Sequence, residues 1–362
     1  MRHDQPSPAP TATEPQPEPG EGASRFVPSI PDNLAYGWFD PSKKPVLEVE
    51  SGERVTVDCL PSWTPELEVP APFFLLDDHI RALAVLEKGP GPHLVTGPIA
   101  VCGAEPGDVL EVAIEDVSLR QDWGWSGVWP GQGALPHRFS EKSISFVPLD
   151  RGSGTATLRS GATIPLRPFF GILAVAPPLF GGRVSTVQPG GFGGNIDNRE
   201  LVAGTSLFLP VWNPGASFFV GDGHAAQGDG EVSQTGLETA LRGRFRLTLW
   251  KATGWTLPRA VTSADYVAMG FDSDLDVAVE IALDAMLDWI VELTGMAAVD
   301  AWSLFSFVGS LRITQVVDGK KGVHAMIARA LIDGLGAPRG QSRTPPDTAP
   351  SGSHSNGTAW AR

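Results

Sequence analysis

Short stretches that alternate apolar and polar residues, each cut off by glycine or proline, dominate the first two-thirds of the chain and direct it toward β-structure. PVLEVESGERVTVDCL (45–60) alternates on both sides of Ser51-Gly52, which predicts a β-hairpin. DVLEVAIEDVSL (108–119) follows the turn Glu105-Pro106-Gly107-Asp108, and TATLRSGATIPL (155–166) turns at Ser160-Gly161. RFRLTLWKATGWTLP (244–258) continues the pattern. With 42 glycines, 33 prolines and only 19% charged residues, the composition describes turns and close backbone approaches and excludes coiled coils and helical bundles. The expected fold is mostly β with an α+β part, a jelly-roll-like β-sandwich joined to a smaller C-terminal α+β domain.

The organisation follows from where that pattern stops. Residues 1–24, where Pro alternates with Ala, Thr, Glu and Gln, and 336–362, rich in Pro, Ser, Thr and Gly, carry too little apolar surface to fold, so both are expected to be disordered tails. The β-rich domain takes residues 25–240 and the α+β domain 241–335. In the latter, Ser273 or Asp274 caps a helix whose Leu275, Val279, Ala282, Leu283, Met286 and Ile290 keep helical spacing up to Gly295. A second short helix is expected over 297–305, and LRITQVVDG then reads as a strand turning at Asp318-Gly319. An apolar fraction of 42% suffices for a large core and excludes disorder of the whole chain.

Charge and cysteine content narrow the function classes. There are 27 Lys and Arg against 41 Asp and Glu, a net charge of −14, and such a chain does not track phosphate backbones. Cys59 and Cys102 build neither a disulfide framework nor a structural zinc site, which points to a reducing, cytoplasmic setting. The N-terminal residues lack the apolar core of a signal peptide, and the most apolar run, Phe169 to Phe180, is short and broken by Pro177-Pro178, so no membrane span is expected.

The densest chemistry lies in Gly221-Asp222-Gly223-His224-Ala225-Ala226-Gln227-Gly228-Asp229-Gly230-Glu231. In extended chain Asp222 and His224 share a face, as do Asp229 and Glu231, and the glycines let the two pairs converge. Oxygen donors with one imidazole suit zinc or another divalent metal. The plain alternative is a turn whose carboxylates cap their own backbone, although a turn requires neither His224 nor Gln227. A second candidate is the loop PGGFGGNIDNREL, where four glycines lead into Asn195, Asp197 and Asn198; it is neither a dinucleotide fingerprint nor a Walker loop. His93 stands at a strand entry, His79 in a surface turn beside Asp77 and Asp78, and His137 and His324 read as structural. No Gly-x-Ser-x-Gly elbow is present, and Cys102 is a packed strand-end residue or a thiol nucleophile. Trp123, Trp125 and Trp129 read first as core and second as a pocket wall.

Together, HLVTGPIAVCGAEPGDVLEVAIEDV (93–117), PFFGILAVAPP (168–178), the stretch 189–239 and RITQVVDGKKGVHAM (312–326) resemble the acetamidase/formamidase family over residues 30–330. The resemblance implies a cytosolic, homo-oligomeric hydrolase of short amides, with a small-molecule amide as substrate and no nucleic-acid or membrane partner. By position it carries over Asn195, Asp197, Asp222, His224, Gln227, Asp229, Glu231 and Glu238. Ser233-Gln234 stand where a Cys-Gly pair is common, and Ser310 where an Asp often precedes Leu-Arg. The expected mechanism places a divalent metal ion, zinc first with calcium or another as alternatives, on Asp222, His224 and Asp197, where it activates water. Glu231 shuttles the proton, Asp229 is a ligand or an orienter, Asn195 positions the amide, and Gln227, Glu238 and His93 contact substrate. The alternatives are a thiol amidase with Cys102 as nucleophile and Glu105 as base, and a non-catalytic ligand- or metal-binding protein on the same fold.

Overall fold

The computed structural model describes residues 25–63 and 67–335. Both tails expected from composition lie outside the described residues. One sheet carries nine strands in the order Arg25–Val27, Glu53–Cys59, Leu241–Trp250, Val109–Leu119, Ser206–Pro210, Arg259–Val261, Asp265–Asp272, Lys321–Ala328 and Ser310–Gln315. A six-stranded sheet runs Gly193–Asn195, Phe169–Ala174, Phe218–His224, Leu94–Val101 and Leu34–Tyr36, with Leu47–Val49 pairing in parallel on Leu94–Val101. A four-stranded sheet, Thr163–Pro165, Thr155–Thr157, Ser143–Asp150 and Trp123–Val128, stands beside them. The protein is thus mostly β, built from several sheets, and the nine-stranded sheet runs through both parts into which composition divides the chain.

The two large sheets meet through one core. Val55, Val57, Val112, Ile114, Leu241 and Phe245 from the first pack with Ile99, Val101, Phe170, Phe218 and Val220 from the second, nearly all without solvent contact. The Phe245 ring links them, with centroids 5.5 Å from Phe170 and 5.7 Å from Phe218. Truncating such a ring to alanine costs about 3–5 kcal/mol.

The hairpin that the alternation across Ser51-Gly52 predicts does not form. Leu47–Val49 joins the six-stranded sheet, whereas Glu53–Cys59 pairs with Leu241–Trp250 and Arg25–Val27 in the nine-stranded one. Alternation reports that each strand has a buried face, not which strand it pairs with, and here the turn carries the chain from one layer to the other. The turn at Ser160-Gly161 does close a hairpin, pairing Thr157 with Thr163.

The described residues also form four α-helices, α1 (Asp77–Val85), α2 (Leu275–Thr294), α3 (Ala298–Val308) and α4 (Arg329–Gly334), two short 3-10 turns and a two-stranded pairing of Val184–Ser185 with Trp38–Phe39. Asp274 caps α2 by accepting from the backbone N–H of Asp276 and Val277, and Gly295 ends it in the left-handed conformation. Helix α2 buries Ala278, Ala282, Met286, Trp289 and Ile290 against the sheet. At Gly270 a side chain would strike the backbone of Ala278 and Ala282, so glycine and two alanines set this close approach. None of the described helices is long and apolar enough to cross a membrane.

His79 departs from the surface turn expected of it. It lies in α1 with no solvent exposure, edge-to-face on Trp63 with centroids 4.9 Å apart, and neither ring nitrogen has a hydrogen-bond partner among the described residues. Burial pushes its pKa down to about 4, against the pull of Asp78. The unfolded chain therefore takes up this proton near pH 6.5 while the folded one refuses it until about pH 4, so His79 removes stability as pH falls through that window. A His79→Leu variant should gain about 2 kcal/mol relative to the wild type between pH 7 and pH 5. Paired urea denaturation curves at the two pH values measure that difference; an equal change in unfolding free energy for both proteins would refute it.

Candidate active site

Neighbouring strands of the six-stranded sheet set out the central groups. On Phe218–His224, Asp222 and His224 project together, as their spacing predicts, and Phe169–Ala174 pairs alongside with Phe169 opposite His224. Gly171 lies between them: a side chain there would overlap Asp197 Oδ1, stand 2.5 Å from Asp222 Oδ2 and 3.2 Å from His224 Cε1. Gly236 approaches the other side of the ring, with a virtual Cβ 2.8 Å from Nδ1. The imidazole is thus gripped between two glycines and meets the Phe169 ring edge-on.

Other segments bring in the remaining groups. Asp197 follows Gly193–Asn195 and is held by its N–H donating to the Gly171 carbonyl, 3.1 Å. Glu238 is clamped to Trp125 by two backbone hydrogen bonds of 2.8 and 2.9 Å. The Gly230 N–H donates to Thr314 O, which pins the Glu231 loop to the strand Ser310–Gln315. Asp318 sits in the hairpin that follows that strand and is 4% exposed. Asp197, Asp222 and Glu231 all adopt positive φ, 51°, 55° and 42°, a backbone region that side chains other than glycine seldom occupy and that concentrates at functional sites.

The result is five buried carboxylates around one imidazole. His224 Nε2 lies 3.1 Å from Glu238 Oε1 and 3.2 Å from Asp222 Oδ2, and His93 Nε2 is 3.9 Å from Asp222 Oδ2. Ser62 Oγ donates to Glu238 Oε2 at 2.7 Å. Burial pushes Asp222 up, but His224 and His93 outweigh it and hold its carboxyl well below the usual range. Burial raises Asp197 to about 6, helped by Asp222, and Glu238 to about 7 against the pull of His224. Glu231 and Asp318 are driven well above the usual carboxylate range by burial and by Asp197. For His224 burial works downward, yet Glu238 and Asp222 carry its pKa well up. A set so rich in negative charge must hold protons or a cation.

The residues fit a divalent cation. Both Asp197 oxygens, Asp222 Oδ1, Glu231 Oε2, Asp318 Oδ2 and His224 Nε2 complete no hydrogen bond among the described residues. Two triads share His224, namely Asp222, His224 and Glu238, and Asp197, His224 and Glu231, each with donor atoms within 4.8 Å of one another. The tautomer chooses between them. Gln227 Nε2 donates to the Asp197 carbonyl at 2.8 Å, which turns its Oε1 toward His224 Nδ1 at 2.7 Å, so Nδ1 carries the proton. Nε2, facing Asp222 and Glu238, is the nitrogen left to ligate.

The structure thus brings Asn195, Asp197, Asp222, His224, Gln227, Glu231, Glu238 and His93 together and leaves Asp229 apart. Gly230 and Glu231 turn the chain, so Asp229 faces outward to an ion pair with Arg312 at 2.6 Å while Glu231 points in. Cys102 is exposed, its thiol pushed up by Glu50, and it is not among the residues lining the cavity. Ser62, Gly171 and Asp318 escape sequence reasoning; only Asp318 had a signal, as a carboxylate in a hairpin turn, where a turn role explains it equally well. A cavity of about 500 Å³ opens onto Asn195, Asp222, Glu231, Glu238 and Asp318, and Trp125 and Trp129 form part of its wall. Gln234, one of the departures noted in the sequence, also lines it.

Fold and site define a mostly β protein whose buried carboxylates and two imidazoles, His224 and His93, cluster beside one cavity. The Acetamidase/Formamidase family profile matches residues 32–179 and 182–253, and the chain belongs to that family. It is 30% identical over 195 residues to the formamidase of Methylophilus methylotrophus, covering 40% of this chain and 48% of that protein. With the acetamidase of Mycolicibacterium smegmatis it shares 30% identity over 202 residues, 40% of this chain and 50% of that one. The chain spans about half the length of the curated relatives it matches. The crystal structure of acetamidase from Yersinia enterocolitica superposes with a TM-score of 0.76 at 28% identity, covering 86% of this chain and 94% of the other.

Proposed function

We propose that this site hydrolyses the carbon–nitrogen bond of an amide, releasing ammonia and a carboxylate. The observation that carries the reading is a cluster of five buried carboxylates around His224, four of which, Asp222, Glu231, Glu238 and Asp318, line a cavity together with His93, in a chain of this family. Amide resonance makes the carbonyl a poor electrophile and the amine a poor leaving group, so water must lose a proton and nitrogen must gain one. When bound by Asp222, His224 Nε2 and Glu238, a divalent cation, zinc being the best match to this donor set, supplies carbonyl polarisation and acidifies water. Glu231 moves the proton. Burial and the neighbouring Asp197 and Asp318 raise its affinity for a proton, so its carboxyl can hold at Oε2 the proton taken from water until the departing nitrogen accepts it. Asn195 Oδ1, buried without a partner, is placed to accept from the amide N–H₂ and orient it. Gln227 fixes the His224 ring, and Ser62 fixes Glu238.

The test is ammonia release from a panel of amides by the purified protein, before and after chelation and zinc add-back. Chelation should lower release at least 100-fold and zinc should restore it. Release that ignores chelation would remove the cation from the reading, and silence toward every amide would refute hydrolysis itself.

A further inference from the structure

We infer that the substrate is an amide whose acyl group carries a bulky, planar, apolar body such as an aryl ring, rather than formamide or acetamide; this rests on the amide-hydrolase reading above. The cavity measures about 500 Å³. A water-sized group takes about 30 Å³ of liquid, so this space holds on the order of fifteen such groups, whereas acetamide has only about four. Its lining is mixed. Asn195 and the carboxylates suffice to handle an amide, Lys88, Lys142, Gln132 and Gln234 add polar groups, and Trp125, Trp129, Pro90, Pro92 and Val187 present an apolar stretch of wall in which the buried Trp125 Nε1–H has no partner among the described residues.

That wall is built, not incidental. Trp125 is 2% exposed and is held edge-to-face by Trp63 on one side and Trp129 on the other, each at 6.1 Å between centroids. The half-buried Trp129 ring lies where a side chain on Gly127 would be, so glycine at 127 seats the ring against its strand. A rigid pair of indoles bordering a cavity binds planar apolar groups by face and edge contact at little entropic cost. A small amide reaches the carboxylates but leaves this wall wet.

The experiment compares kcat/KM for acetamide and phenylacetamide. One methylene in an apolar pocket is worth about 10- to 200-fold, so phenylacetamide should be preferred by on the order of 100-fold. Trp129→Ala should cut that preference about tenfold, and Gly127→Val, which unseats the ring without removing it, should cut it as well. Equal or better turnover of acetamide would overturn the inference and leave amide hydrolysis standing. A preference that survives both variants would overturn the role of the wall. Hydrolysis of neither amide would overturn this inference, and only silence across the whole amide panel would overturn the amide-hydrolase reading as well.

Discussion

Glu231→Gln should lose amide turnover by about 10²- to 10⁴-fold while melting no lower than the wild type. The two halves of this expectation have one cause. Glu231 is 7% exposed, its Oε2 has no partner among the described residues, and Asp197 and Asp318 face it with like charge. A neutral amide of the same shape removes that repulsion and brings an N–H₂ that can donate to the unpartnered oxygens nearby, so folding loses nothing. What it cannot do is accept a proton from water and return it to nitrogen. Ammonia release, thermal melting and zinc content should be measured on the same preparation. Lost turnover with retained zinc and melting temperature assigns proton transfer to this carboxyl, whereas normal turnover would refute the assignment.

Gly171→Ala should be nearly as damaging, without removing any functional group. Its methyl would lie against Asp197 Oδ1 and 2.5 Å from Asp222 Oδ2, closer than a Cβ ever approaches an oxygen. Both carboxylates are buried and sit on backbone in the left-handed region, so neither has room to yield without turning the strand that carries Asp222 or the loop that carries Asp197. Overpacking of this kind costs about 1–3 kcal/mol of stability. Because catalytic geometry tolerates far less displacement than folding does, turnover should fall at least 100-fold and zinc affinity with it. Full activity in a well-folded Gly171→Ala protein would show that Asp197 and Asp222 need not stand where they do.

Local rules made part of this site legible. Asp222 and His224 were recoverable because two residues along a strand return to the same face, and α2 because Asp274 and Gly295 mark its ends. The same rule misplaced Asp229, since it assumes extended chain and Glu231 has φ = 42°. Ser62 and Gly171 carry no local mark at all, and the mark on Asp318 is one that any turn carboxylate shares. Ser62 meets Glu238 across 176 residues of sequence, and the necessity of glycine at 171 is visible only once Asp197 and Asp222 close on it. The fold divides similarly: alternation located the strands but could not say that the chain changes sheets at Ser51-Gly52, because pairing is chosen by partners far away.

The pinning of Gly230 to Thr314 has a consequence for biosynthesis. The Glu231 loop gains its backbone anchor only from the strand Ser310–Gln315, and Asp318 comes with the hairpin behind it. A ribosome must therefore release almost the whole described chain before the cavity acquires its last two acids, and loop closures of this span are slow. Catalytic competence should therefore appear late in maturation, after the C-terminal strands have joined the nine-stranded sheet.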